Sequence, residues 1–189
     1  MATHLNHINA GLPFFITFTC IEWKPLIAEA NGYQGFYNWF NYLTKQEVKI
    51  LSYVIMPNHF HGVLHFSNDS KGSINSYLAN GKRFLAYDLI KRLGLLENQN
   101  LLNELSALLT AGDLSRGSKH KVFKTSFDAK PCSDRSMLLR VMKYIHHNPV
   151  KGKWDLAKSH ADYPHSSASF YEKGLENQYV TDYREVYGI

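Results

Sequence analysis

His59 and His61, one residue apart, and Tyr144, far downstream, are the side chains of this sequence best suited to do chemistry. The histidines lie in the run from Tyr53 to Phe66, where Pro57-Asn58 marks a turn between two apolar stretches. The run therefore predicts a β-hairpin. Alternate residues of a strand share a face, so His59 and His61 point the same way with Cα atoms roughly 6 to 7 Å apart. Two imidazoles so placed can converge on one divalent metal ion. Phe60 faces the opposite side and can lock the strand to a core. In a chain with ten histidines such a pair is as readily structural, so a third ligand and a reactive group must come from elsewhere. The segment Lys143 to Val150 offers both. Tyr144 and Asn148 are four apart and share a face of a helical turn, with His147 near it. Read from the residues alone, Tyr144 is either a reactive phenol or an ordinary amphipathic-helix tyrosine, and Asn148 either a ligand or a C-terminal cap. His65 shares the strand face but lies further along and reads as a sheet residue. His4, His7, His120, His146, His160 and His165 have no spacing that recommends them as ligands.

The elements that must position these groups are legible in outline. Residues 13 to 22 predict a strand, 32 to 46 a helix, and 47 to 56 with 59 to 66 the hairpin. Ser73 caps a helix running to about residue 93, interrupted by Gly81 at roughly 1 kcal/mol relative to Ala. A short helix over 101 to 109 and a fourth strand over 119 to 127 follow. Residues 134 to 148 carry Met137, Leu138, Val141, Met142 and Ile145 at helical spacing, and Pro149 stops that helix. The order implies an α+β fold: a ferredoxin-like sandwich with a central antiparallel sheet and helices packed on it. Residues 1 to 171 form one domain, with 97 to 118 as an inserted helical hairpin or loop. Residues 172 to 189 form a C-terminal extension that wraps the domain or contacts a partner.

A chain of 189 residues, 44% hydrophobic and 14% aromatic, buries a real core and is not disordered. The net charge of +5 and pI near 9.1 permit a polyanionic partner. Lys82, Arg83, Lys119, Lys121, Lys124 and Lys130 precede the tyrosine helix, and Arg135, Arg140, Lys143, Lys151 and Lys153 lie on or just after it. They form either a solvated basic face or a groove for a nucleic-acid backbone. Phe84, Tyr87, Phe123 and Phe127 interleave with them and can stack bases, or can be core. Cys20 and Cys132 suggest no disulfide framework and fit a reducing cytoplasm. Residues 12 to 21 read as a strand rather than a signal peptide, and no run reaches the ~18 apolar residues of a membrane span.

In order, these motifs resemble those of the single-tyrosine HUH transposases, most closely the REP-associated tyrosine transposase branch. His59-Phe60-His61 matches the HUH signature, and Met56 to His61 its branch-typical context. Tyr144-Ile145-His146-His147-Asn148-Pro149-Val150 matches the helix signature. Phe14 to Cys20 looks like the first strand, and Asp162 to Ala168 like the C-terminal segment. The resemblance covers roughly residues 13 to 171.

It implies an enzyme that cuts and rejoins single-stranded DNA at hairpin-associated sites. Tyr144 would attack a phosphate, leaving a 5′-phosphotyrosine link and a free 3′-hydroxyl. His59 and His61 would bind Mg²⁺ or Mn²⁺ with Asn148 as third ligand, or His147 in its place. Lys82, Arg83, Lys121, Lys124, Arg140, Lys143 and Lys151 would meet the DNA. A divalent cation polarises the phosphoryl oxygen and offsets charge on the leaving oxygen. The tyrosine conserves the bond for rejoining, although its phenol, with a reference pKa of about 10, needs deprotonation and the sequence names no general base. The resemblance implies a cytoplasmic protein, nucleoid-associated when on DNA, and leaves monomer or homodimer open. A non-catalytic binder of DNA hairpins descended from such an enzyme is the alternative. A hydrolase using metal-bound water is a third reading, disfavoured because no carboxylate base stands beside the histidines.

Overall fold

The computed structural model describes residues 11–67, 70 and 72–188; His4 and His7 lie outside them. In chain order the elements are β1 (Pro13–Thr19), α1 (Leu26–Glu29), α2 (Tyr33–Lys45), β2 (Val48–Ile55), β3 (His59–Phe66), α3 (Ile74–Leu95), α4 (Gln99–Ala107), α5 (Ala111–Ser115), β4 (Asp128–Pro131), α6 (Arg135–His147), α7 (Ala168–Lys173) and α8 (Tyr183–Tyr187). The four strands form one antiparallel sheet in the order β2-β3-β1-β4. The expected α+β sandwich with a central antiparallel sheet is therefore present.

Two apolar clusters cover the two faces of the sheet. On one, Phe14, Ile16 and Phe18 of β1 and Phe60, Leu64 and Phe66 of β3 pack against α2 and α3. Phe60 sits among Phe18, Phe36, Trp39 and Phe40, with ring centroids 5.2 to 5.9 Å away. It anchors the strand as its place between the histidines requires. Gly81, which read as a weak point of α3, is there for a close approach: a Cβ would lie 2.5 Å from the Trp39 indole. On the other face, Leu138, Met142 and Ile145 of α6 pack against Leu51, Val54, Met56 and Val63. Burying each such side chain is worth about 1.5–3 kcal/mol. Asp134 caps α6 by accepting from the Met137 N–H at 2.8 Å.

One strand differs from expectation. Residues 119 to 127 hold no strand; the fourth strand is Asp128–Pro131, paired with Phe14–Thr17 of β1. The apolar pair Val122-Phe123 is buried, but its backbone joins the end of β1 and the residues after it through a single Cys20–Phe123 bridge, flanked by the Ile21 N–H to Val122 carbonyl and Lys124 N–H to Thr19 carbonyl bonds. The segment 97 to 118 contains α4 and α5, the latter opened by a reciprocal Thr110–Asp113 capping box. The C-terminal residues lie along β2: the Thr181 N–H bonds the Ile50 carbonyl, and Tyr183, Val186 and Tyr187 pack against the α6 cluster. No described helix is long and apolar enough to cross a membrane.

Candidate metal and tyrosine site

Strand alternation puts Thr17 of β1 and His61 of β3 opposite each other, on the face covered by α6. The Thr17 hydroxyl is hydrogen-bonded to His61 Nδ1. His59 Nδ1 donates to the carboxamide oxygen of Asn58, 2.6 Å away. Both Nδ1 atoms are thus engaged, and Nε2 of each ring is the nitrogen left to face a ligand. The two rings lie 4.7 Å apart by centroid. Both are buried, and burial pushes His59 down to about 4 and His61 down to about 3. At neutral pH both are therefore uncharged, the state a metal requires.

The tyrosine reaches this pair within one chain. Tyr144 Oη lies 3.5 Å from His61 Nε2, and the rings are 5.3 Å apart. Phe15 packs against both, at 5.5 Å from His61 and 6.0 Å from Tyr144. Tyr144 keeps 46% of its surface open, so the phenol faces both the histidines and solvent. Asn148 follows one turn later as the C-terminal cap of α6, its amide Nδ2 donating to the Tyr144 carbonyl at 2.8 Å. Its amide also touches His59, where it favours the charged ring, while Lys153 opposes that charge. Capping and facing the metal pair are compatible roles for this one residue.

His147 does not join this group. Its Nδ1 donates to the Lys143 carbonyl at 2.9 Å, and its ring stacks on His160 at 4.0 Å, itself paired with Glu172. Among the described residues no three His, Cys, Asp or Glu side chains cluster as a metal site. His59, His61 and the Asn148 amide are the donors that lie together here. Neutral imidazoles and an amide would leave the full positive charge of a cation held there uncompensated.

Three supporting groups carried no signal that sequence reading used. Thr17 and Asn58 orient the histidines; Asn58 carries a turn signal in the sequence but none for this contact. His146, buried beside Tyr144, is hydrogen-bonded through Nε2 to Ser52 and Ser167, at 3.0 and 2.9 Å. That polar lock pins the last turn of α6 to β2 at the β-bulge where register shifts between Ile50 and Ser52. Of the other histidines, His65 bonds the Gly11 carbonyl at 3.3 Å and His165 stacks on Tyr33 at 3.6 Å.

The basic residues divide. Lys82 turns inward: its ammonium donates to the carbonyls of Lys124, Thr125 and Ser126 at 2.6 to 3.1 Å, and burial draws it down to about 8. Lys121 is ion-paired with Asp113 at 2.8 Å. Both make contacts within the fold, and both also line a small cleft that ends at Lys124. Arg83, Arg140, Lys143 and Lys151 are exposed, Lys143 beside a cleft containing neither His59 nor Tyr144. Arg83 also borders a cleft of about 730 Å³ between α3 and residues 116 to 122, where Lys91, Arg116, Lys119 and His120 gather around Tyr87. Phe123 is core, Phe127 partly so, and Phe84 and Tyr87 are exposed.

No family model matches the chain. A Haemophilus influenzae protein of uncharacterized function is 24% identical over 162 residues, spanning 80% of this chain and 87% of that protein. Among solved structures, a REP-associated tyrosine transposase bound to a REP hairpin aligns with a TM-score of 0.61 at 16% identity, over 94% of this chain and 89% of that one. The fold is shared with that protein. A Deinococcus radiodurans structure aligns at a TM-score of 0.39 and 11% identity, covering 78% of this chain and 97% of that one, and adds no weight.

Proposed function

We propose that this chain is a metal-dependent DNA strand transferase, a transposase acting on single-stranded DNA beside hairpins, with Tyr144 as nucleophile. The observation that carries the reading is the meeting of Tyr144 Oη with His61 Nε2, 3.5 Å apart on one chain. The half-exposed phenol stands beside two buried, uncharged imidazoles whose Nδ1 atoms are hydrogen-bonded. The shared fold with a transposase bound to a hairpin supports the same reading.

His59, His61 and Asn148 would hold Mg²⁺ or Mn²⁺, which polarises the phosphate and offsets charge on the leaving oxygen. Tyr144 Oη bonds to phosphorus as the bond from phosphorus to the 3′-oxygen breaks. The phenolic proton leaves to solvent along the open side of the ring, and the 3′-oxygen takes up a proton. Rejoining runs the same exchange in reverse with another 3′-hydroxyl as nucleophile. The cleft lined by Arg83, Arg116 and Lys119 adjoins a smaller one that ends at Lys124, close to the histidines through Trp23. This basic path suits a DNA backbone in the cytoplasm. His59, His61, Asn148 and Tyr144 lie together within one chain.

The test is a denaturing gel of the protein with a labelled DNA hairpin bearing single-stranded flanks and Mn²⁺. Wild type is expected to form a covalent adduct and a free 3′-hydroxyl strand. Tyr144→Phe should lose the adduct entirely while keeping fold and metal binding. An adduct that persists in Tyr144→Phe names another nucleophile. Hairpin binding with no adduct in wild type would favour the non-catalytic binder.

A further inference from the structure

Trp23 stands out from the rest of the surface. It keeps 53% of its exposure, and both it and Glu22 adopt left-handed backbone, with φ of 58° and 51°. Such conformations are costly for non-glycine residues. An exposed indole recovers little of that by burial, so the strain serves placement. The placement is held firmly. The Trp23 carbonyl accepts from the Asn58 amide at 2.9 Å, and Ile21 is bonded to Val122. Asn58 thus ties the strained turn to the ring of His59 with its two amide atoms.

What surrounds the indole is chemically specific. His59 meets it edge to face at 5.8 Å. Lys124 Nζ stands 4.7 Å from the ring centre. Lys124 is fixed from both sides: its N–H donates to the Thr19 carbonyl, and its own carbonyl accepts from Lys82 at 2.6 Å. Lys24, Lys121 and Lys173 are ion-paired, and Lys124 is not among the paired lysines of the described residues. An indole half open to solvent, with an ammonium over its ring that no described carboxylate pairs, matches one nucleotide: a base to stack on the exposed part of the indole and a phosphate to neutralise.

We propose that Trp23 and Lys124 form a nucleotide site for single-stranded DNA next to the His59–His61 pair. Trp23 stacks one unpaired base and Lys124 holds the adjoining phosphate, so that the neighbouring linkage is delivered to Tyr144. The site takes an unpaired strand, because bases inside a duplex have no free face. This inference rests on the DNA-cutting reading, and its test does not depend on cutting.

The full chain, carrying Tyr144→Phe and in metal-free buffer with EDTA, is titrated with a short oligothymidylate while tryptophan emission is followed. The expected result is saturable quenching by the single strand and none by its duplex with oligoadenylate. Trp23→Ala should lose the quench and bind roughly ten- to a hundredfold more weakly, the range for removal of one stacking aromatic. Trp23→Phe should keep most of the affinity, and Lys124→Gln should weaken binding and flatten its salt dependence. Trp23→Gly separates binding from folding: glycine relieves the left-handed strain, so its melting temperature should be unchanged or higher while binding is lost. A fall in melting temperature with unchanged affinity would make Trp23 structural and overturn the proposal. Unchanged affinity in Trp23→Ala, or failure of wild-type sequence at Trp23 to be quenched, would overturn it too. If that happens while wild type still forms the Tyr144 adduct, only the nucleotide site falls. If the site binds but no adduct forms with Mn²⁺, only the cutting reading falls.

Discussion

At the scale of single residues, the site depends on what faces the far side of each imidazole. Thr17 and Asn58 hold the Nδ1 atoms of His61 and His59, fixing the orientation of both rings and, at His59, the lone pair that Nε2 presents. Removing such an outer partner typically costs 10- to 100-fold in metal affinity. Thr17→Val keeps shape and deletes only the hydroxyl. It is expected to weaken Mn²⁺ binding in that range by calorimetry, with His61→Ala removing binding altogether. An unchanged dissociation constant in Thr17→Val would mean that His61 is not oriented for a metal. The histidine pair, the tyrosine and Asn148 were legible because they sit at fixed spacing within one strand and one helical turn. The supporting residues were not, because Thr17 acts across a strand pair and Asn58 acts through a turn. The basic residues show the same limit. Lys82 and Lys124 look alike in sequence, yet one caps three carbonyls and the other stands free over an indole.

At the scale of elements, β3 carries the site on one face and the core anchor on the other. Gly62 makes room for that anchor: a Cβ there would lie 2.6 Å from Cζ of Phe60. Gly62→Ala must push the Phe60 ring into Phe18, Phe36 and Phe40, and overpacking of this kind costs about 1–3 kcal/mol. The urea midpoint should fall accordingly, and adduct formation should fall with it as the strand shifts. A midpoint equal to wild type would show that the ring has another place to go. Periodicity predicted β1, the hairpin, α2, α3 and α6 within a few residues, because each has an apolar face of the right repeat. It missed β4, whose Asp-Ala-Lys-Pro sequence has no strand-forming pattern and is ordered only by the free edge of β1. It drew the fourth strand instead at Val122-Phe123, where burial comes from loop packing rather than a ladder. The lock of His146 on Ser52 and Ser167 was invisible for a related reason, since a β-bulge 94 residues away creates it.

At the scale of the whole molecule, folding buries several histidines in the uncharged state. Burial lowers His59, His146 and His165 to about 4 and His61 to about 3. Unfolded histidine titrates near 6.5. The folded chain therefore binds fewer protons than the unfolded chain below that value, and stability falls as pH drops. The stabilisation is fully present above pH 6.5 and is lost progressively toward pH 4 and 3. Each of the three most buried groups, His59, His61 and His146, contributes on the order of 3 kcal/mol. Their sum rivals the roughly 5–15 kcal/mol that holds a domain together. In metal-free buffer the urea midpoint should hold steady from pH 8 to 7, drop steeply below 6.5, and approach zero near pH 4. Mn²⁺ should raise it at each pH above 5, because a ligand of the folded histidines competes with their protonation. His146→Gln removes one titrating group and should make the decline shallower, even as loss of the Ser52 and Ser167 bonds lowers the midpoint at pH 8. A midpoint flat down to pH 4 would mean that the buried imidazoles accept protons without cost, and the desolvated metal pair on which the proposed chemistry depends would not exist.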